Sequence, residues 1–423
     1  MQKLPNRWVI AAAAIAIQIC CGAIYSWSVF VKPLSAIEPW SLVQISATFE
    51  IALAFIGFGA LVGGLWQDRV GPRLVASVSG VVYGLGFMLS SFAVSHHSLI
   101  GLYLGYGVLT GTAIGVAYIC PVAAVTKWFP DHRGLMIGAT VMGYGAGAVV
   151  MGPVAARLII HSGVPAAFRF FAVAYLLVIV AAAQFHIDPP LAWQPKGWVP
   201  RTTASKLATR IDYTVGQALR SWKFWLLWLL LAINTSAGIM IISQASPLAQ
   251  QQVGMSVIEA SAVVGVIAVF NGMGRLAWAW ISDYMGRAQV YLALFVIQLL
   301  VFFTLPRIHD PLQFEAAVCT IALCYGGGFA VIPSFAADFF GTRNLGGIFG
   351  WMCMATWLVV AIPSPMLIAH VRETTGTYES AIIAIGFLML LALPLPILAG
   401  RAARAVAHQN ATKPMLHRRI GEA

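Results

Sequence analysis

Unbroken apolar runs of about twenty residues recur from one end of this chain to the other, and no other feature restricts its fold as tightly. A helix needs roughly 20 mostly apolar residues to cross the hydrocarbon core of a bilayer. In lipid every backbone polar group must be bonded within the protein, so continuous runs cross as helices, whereas a β-barrel would show alternation. Runs of span length cover 8–31, 42–66, 74–94, 98–121, 134–160, 167–187, 222–245, 256–280, 288–306, 312–336, 346–370 and 378–399. With 60% hydrophobic and only 9% charged residues, the chain has too few charges to cover a soluble surface of this size. The first run continues past the length of a signal peptide without a small-residue cleavage pattern, so it is expected to stay as the first span.

Twelve crossings bring both termini to one face, and the basic residues then say which face. Of 25 Lys and Arg, 19 fall on the side of the termini, and five (Lys32, Arg157, Arg169, Arg307, Arg372) fall on the other. Both termini are therefore expected in the cytoplasm, with the chain in the cell inner membrane. A formal net charge of +11 invites a nucleic-acid reading, but its confinement to loops on one face makes it a topology signal. One cation, Arg275, belongs to no loop.

A polar segment over 188–221, with Pro189, Pro190, Pro195 and Pro200 among its basic residues, separates the sixth run from the seventh. The expected organisation is a six-helix bundle over 1–187, a cytoplasmic linker over 188–221, a second six-helix bundle over 222–400 and a basic tail over 401–423. The halves repeat each other. Asp68, Arg69, Gly71 and Arg73 after the second run answer to Asp283, Gly286 and Arg287 after the eighth. Lys127 to Gly134 after the fourth answers to Phe339 to Gly346 after the tenth, so the fold expected is all-α, with two pseudo-symmetric six-helix bundles.

These loop motifs resemble those of the major facilitator superfamily, which carries a Gly-x-x-x-Asp-Arg-x-Gly-Arg pattern after spans two and eight. Within it the chain is most similar to the oxalate:formate antiporter family, bacterial relatives of animal monocarboxylate transporters. The matching stretches are Gly22 to Ser28, Lys127 to Gly134 continuing to Met142-Gly143-Tyr144-Gly145, Asn271 to Arg275, and Phe339 to Gly346. The resemblance implies a central cavity bounded by Tyr25, Tyr118, Tyr144, Tyr325 and Phe329, with Arg275 as the anion anchor. Two positions depart from the pattern. Oxalate transport in the family resembles a two-cation site with a lysine in span eleven, where this chain reads Trp351-Met352-Cys353-Met354. Animal monocarboxylate transporters carry an aspartate where Asn271 stands here.

The residues alone point the same way. Arg275 lies eight residues before Asp283, about 12 Å inside the helix end, near the bilayer midplane. A cation at that depth costs at least ~2.5 kcal/mol and ordinarily faces a cavity and an anionic partner. No acid of this sequence is expected at that depth; Glu50 and Glu259 fall near the far membrane edge, and packing against Glu50 is the bland alternative to a substrate. A guanidinium holds one carboxylate through two parallel hydrogen bonds and does not deprotonate. Tyr118 and Tyr325 take comparable places in the two halves, where their hydroxyls can donate to a carboxylate while Phe329, Met352 and Cys353 cover a short aliphatic chain. Asn271, one turn before Arg275, is placed to orient the guanidinium.

Asp68, Arg69, Arg73, Asp283, Arg287 and Arg133 are expected to form a latch at the cytoplasmic surface instead of a substrate site. Glycines 107, 111 and 115, spaced by four within a run, read as helix-contact positions and not as phosphate loops. The six cysteines lie in apolar runs without C-x-x-C spacing, so no disulfide is expected. No zincin or nucleophile-elbow motif is present, which disfavours an intramembrane enzyme. The sequence therefore predicts a secondary transporter for a short monocarboxylate such as lactate or pyruvate, coupled to a proton, acting as a monomer and without a cofactor. Anion exchange of the oxalate:formate type is the alternative.

Overall fold

A computed structural model describes residues 6–190, 193–195, 198 and 212–412. Half of the expected linker and the tail beyond residue 412 lie outside these described residues.

Helices with the length and apolarity of membrane spans run over Arg7–Ile37, Leu42–Val70, Pro72–Ser95, Leu99–Trp128, Arg133–Ala183, Trp222–Val253, Ile258–Met285, Arg287–Arg307, Pro311–Phe340, Leu345–Thr375 and Glu379–Ala405. These eleven make twelve crossings, because the 51-residue helix Arg133–Ala183 contains two. Its turning point is Gly163, at φ 79°, a backbone conformation that a residue with a Cβ adopts only under strain. Pro165 then fits the first turn of the returning helix, so the expected loop between the fifth and sixth spans is a single kink.

Local chemistry repeats between the halves as the loop motifs do. Ser41 and Gln44 close a capping box on the second span, and Ser256 and Glu259 close one on the eighth. Ser98 caps the fourth span and Asp310 the tenth. Three segments inside the described spans leave regular α geometry: a 3-10 turn over Ala23–Trp27 in the first, and π-helical stretches over Tyr103–Thr110 in the fourth and Trp357–Ala361 in the eleventh. Wide and tight turns of this kind re-aim side chains that an even helix would send elsewhere.

The face that carries the chain's ends and the linker is closed. There the fifth span packs on the eighth and the second on the eleventh, and Gly64 meets the backbone of Gly346 so tightly that a Cβ on either would overlap the other helix. The fifth and eighth spans remain in contact up to Gly145 and Gly272. Further from the linker face, Gly152 and Gly265 have open space beside them. The two halves are thus joined at the linker face, and their contact along the fifth and eighth spans reaches Gly145 and Gly272.

Candidate functional site

Spans one, two, four, five, eight, ten and eleven meet around a small cavity lined by Tyr25, Ile56, Ala60, Tyr118, Tyr144, Arg275, Tyr325, Phe329, Cys353 and Trp357. About 20 Å³ of it is open to a water-sized sphere, room for little more than one molecule. Arg275 is 3% exposed. Its Nε donates to Asn271 Oδ1 at 3.2 Å, and Nη1 reaches the Val141 carbonyl at 3.5 Å, the outer limit of a hydrogen bond. Asn271 is itself held by donating to the Ala322 carbonyl at 3.3 Å. The amide thus fixes the base of the guanidinium and leaves its outer edge toward the cavity.

The rings pack on that cation and on one another. The guanidinium carbon lies 5.8 Å from the Tyr144 ring centre and 5.9 Å from that of Phe329, within range of cation–π attraction. Tyr144 stands edge-on to Tyr25 and to Tyr118, each at 5.5 Å, while Phe329 stands edge-on to Tyr118 and Tyr325, each at 6.5 Å. Tyr25 is 36% exposed, whereas the other four rings are between 4% and 6% exposed, so solvent approaches from the Tyr25 side. The buried hydroxyls of Tyr118 and Tyr144 have no hydrogen-bond partner among the described residues. Buried donors in native proteins are ordinarily satisfied, so two orphan hydroxyls beside a cation mark a place where an acceptor fits. No carboxylate stands within ion-pair distance of Arg275 among the described residues.

Other expected positions fall differently. Met352 is fully buried but does not line the cavity; its carbonyl accepts from Thr356 Oγ1 at 2.7 Å, and Trp357, one α-turn beyond Cys353 on the same helix face, lines it instead. Glu50 is exposed and makes no ion pair among the described residues, which removes it as the internal partner of Arg275. Ile56, Ala60 and Trp357 line the cavity without having been singled out in the sequence. In spans that are apolar on every side, periodicity does not say which face turns inward.

At the linker face, Asp68 accepts from the amides of Gly346 (3.2 Å) and Gly347 (2.6 Å), at the start of the eleventh span. Asp283 accepts from the amides of Gly134 (2.9 Å) and Leu135 (3.0 Å), at the start of the fifth, and from Arg287 Nη2 at 2.7 Å. Each carboxylate therefore satisfies two of the free amides of a helix in the opposite half and sits at the positive end of its dipole. Arg133 bridges the halves again through Asp338 at 2.8 Å, and Arg287 lies 3.6 Å from the same carboxylate. Arg69 and Arg73 do not join this contact: Arg69 is exposed, and Arg73 donates to Gln184 within its own half.

Comparison with known proteins agrees with this arrangement. The family model described as Major Facilitator Superfamily matches residues 8–365. The oxalate:formate antiporter of Oxalobacter formigenes is 28% identical over 360 residues, covering 84% of this chain and 82% of that one. The apicoplast pyruvate carrier 1 of Toxoplasma gondii is 28% identical over 397 residues, covering 80% and 72%. Among solved structures, the human organic anion transporter MFSD10 (TETRAN) superposes with a TM-score of 0.69 at 13% identity, over 93% of this chain and all of that one, a likeness of fold. A family match over most of the chain, twelve crossings in two halves and a cavity between them make the same statement: this multi-pass membrane protein belongs to the Major Facilitator Superfamily of transporters.

Proposed function

We propose that the protein carries a short monocarboxylate of the lactate and pyruvate class across the cell inner membrane, together with a proton, by alternating access. The observation that carries this reading is Arg275: a nearly buried guanidinium, without an acidic partner among the described residues, whose own hydrogen bonds are one to the Asn271 amide and a long one to the Val141 carbonyl. A planar fork matches one carboxylate, and the orphan hydroxyls of Tyr118 and Tyr144 supply further donors to its oxygens. Phe329, Ile56, Ala60 and Trp357 provide apolar walls for a chain of two or three carbons. Span eleven presents Cys353 to the cavity and no second cation, which favours a monoanion over a dianion.

In this cycle the closed linker face is the cytoplasmic one. The substrate enters past Tyr25, and pairing with Arg275 removes the cost of an uncompensated charge at depth. The halves can then rock, which requires Asp68 and Asp283 to leave the helix ends they cap. The rings must part for entry, because lactate is several times larger than a water molecule.

Exchange of one anion for another is a second reading, supported by the similarity to an oxalate:formate antiporter. Purified protein in liposomes separates the two. With labelled lactate outside and an inward proton gradient, symport predicts accumulation that collapses when the gradient is dissipated. Accumulation that ignores the gradient and instead requires a carboxylate inside would overturn symport in favour of exchange.

A further inference from the structure

We infer that Gln18 and Asn234 are a matched pair of positioning residues, which set the rotation of the fourth and tenth spans and so aim Tyr118 and Tyr325 into the cavity. Gln18, on the first span, donates through Nε2 to the backbone carbonyl of Tyr118 at 3.1 Å. Asn234, on the seventh, donates through Nδ2 to the backbone carbonyl of Tyr325 at 3.0 Å. Both side chains are fully buried. Each bond therefore ends on the main chain of a residue whose ring lines the cavity, at matching places in the two halves.

The sequence carries the same duplication. Gln18 is followed four residues later by Gly22, and Asn234 four residues later by Gly238. At Gly238 the ring of Tyr325 rests on the bare Cα, where a Cβ would overlap it; at Gly22 the main chain of Tyr144 takes the equivalent space. The repeated unit is an amide that ties a neighbouring span and, one turn on, a gap that admits a cavity tyrosine or its backbone.

A tie of this kind matters because it ends on the cavity tyrosine itself, whereas the other bonds to these spans, from Ser79 to the Ala113 carbonyl on the fourth and from Asn271 to the Ala322 carbonyl on the tenth, end three or more residues away. Tyr118 is followed by Pro121, which lacks an amide hydrogen, and Tyr325 by Gly326, Gly327 and Gly328. Small and apolar surfaces let one helix turn against another, whereas a hydrogen bond to a fixed carbonyl has a direction. In the second half the tie is braced: Gln298 Nε2 donates to Asn234 Oδ1 at 2.9 Å, and Tyr291 Oη donates to the Gly328 carbonyl at 2.6 Å. Neither amide touches the cavity, so both act through the tyrosines. This role rests on the proposed function, in which those tyrosines face a carboxylate at Arg275.

The test has two arms. In liposomes, Gln18→Leu raises the KM for labelled lactate at least fivefold with Vmax within twofold, while Gln18→Asn stays within twofold of the parent, because asparagine spans the equivalent gap in the other half. The second arm needs no substrate: with Cys353 the only cysteine kept, its labelling rate by a small methanethiosulfonate shifts at least threefold in Gln18→Leu and Asn234→Leu but not in Gln18→Asn. If labelling responds while the parent protein moves no lactate, the tie stands and the lactate reading falls. Leucine variants that lose thermal stability yet keep both the parent labelling rate and the parent KM overturn the positioning role.

Discussion

The carboxylate of Asp68 on the second span lies 2.6 Å from the backbone nitrogen of Gly347 on the eleventh, and so fastens one half of the transporter to the first turn of a helix in the other. Asp283 repeats the arrangement on Leu135 at 3.0 Å. Both bonds lie on the linker face, which is closed in this structure. The side chains that the sequence motif repeats are therefore conformational fasteners, and across the halves they act on backbone amides, the charge of Arg287 meeting Asp283 within one half.

An anion at a helix N-terminus contributes about 0.3 to 1 kcal/mol, and up to ~2 kcal/mol where partly buried. Removing the charge at Asp283 should therefore favour opening of the linker face severalfold. A cysteine replacing the fully buried Ala279, against which Gly134 packs, reports this directly. Asp283→Asn is expected to speed its alkylation, and an unchanged rate would show that the fastener carries no weight.

Asp338 is shared by two guanidinium groups, with its side chain 8% exposed. Asp338→Asn leaves Arg133 and Arg287 with less compensation in a buried site, a kind of change that costs about 3 to 5 kcal/mol. The expected outcome is a lower Tm in detergent, with part of the loss recovered in the double variant with Arg133→Gln. Additive losses in the double variant would mean that the two residues do not interact.

Trp357 forms one wall of the cavity from the π-helical turn of span eleven. Trp357→Ala should widen the site and move preference from lactate toward monocarboxylates of four to six carbons, by about tenfold in relative competition, since each buried methylene is worth ~0.8 kcal/mol. Competition against labelled lactate across a series of chain lengths measures it; an unchanged ranking would remove Trp357 from the selectivity wall.

Adjacent positions on span eleven give a sharper contrast. Cys353 lines the cavity and Met352 does not, although both are buried. Cys353→Lys should add a second cation beside the substrate and increase inhibition by oxalate relative to lactate. Met352→Lys buries an unpaired charge in the packed interior and should lower the yield of folded protein. If both variants fold and gain oxalate sensitivity alike, the register of span eleven assigned above is wrong.

Much of the fold was legible because it is set by strong, redundant signals. Twelve apolar runs and the doubled loops around Asp68 and Asp283 lead to the same architecture. Arg275 stood out for an equally physical reason, since a cation far from any loop is costly. Orientation within each span was less accessible. Met352 was expected in the cavity and Trp357 was not considered, because the span is apolar on every side; Trp357 follows Cys353 by one regular α-turn, and hydropathy does not say that this is the face turned inward. Asp68, Asp283 and their motif arginines were expected in one cytoplasmic latch; Asp283 and Arg287 join it, yet Arg69 and Arg73 stay outside, because the partners of Asp68 are amides that every residue but proline carries.

Uptake of labelled lactate into proteoliposomes by the parent protein and by Arg275→Lys compares two cations that differ in geometry and not in charge. A bidentate carboxylate contact predicts at least a tenfold fall in initial rate for the lysine variant at equal protein incorporation, about 1.4 kcal/mol or more of lost interaction. Near-parental uptake by Arg275→Lys would contradict a direct carboxylate contact, and with it the assignment of the cavity to a monocarboxylate.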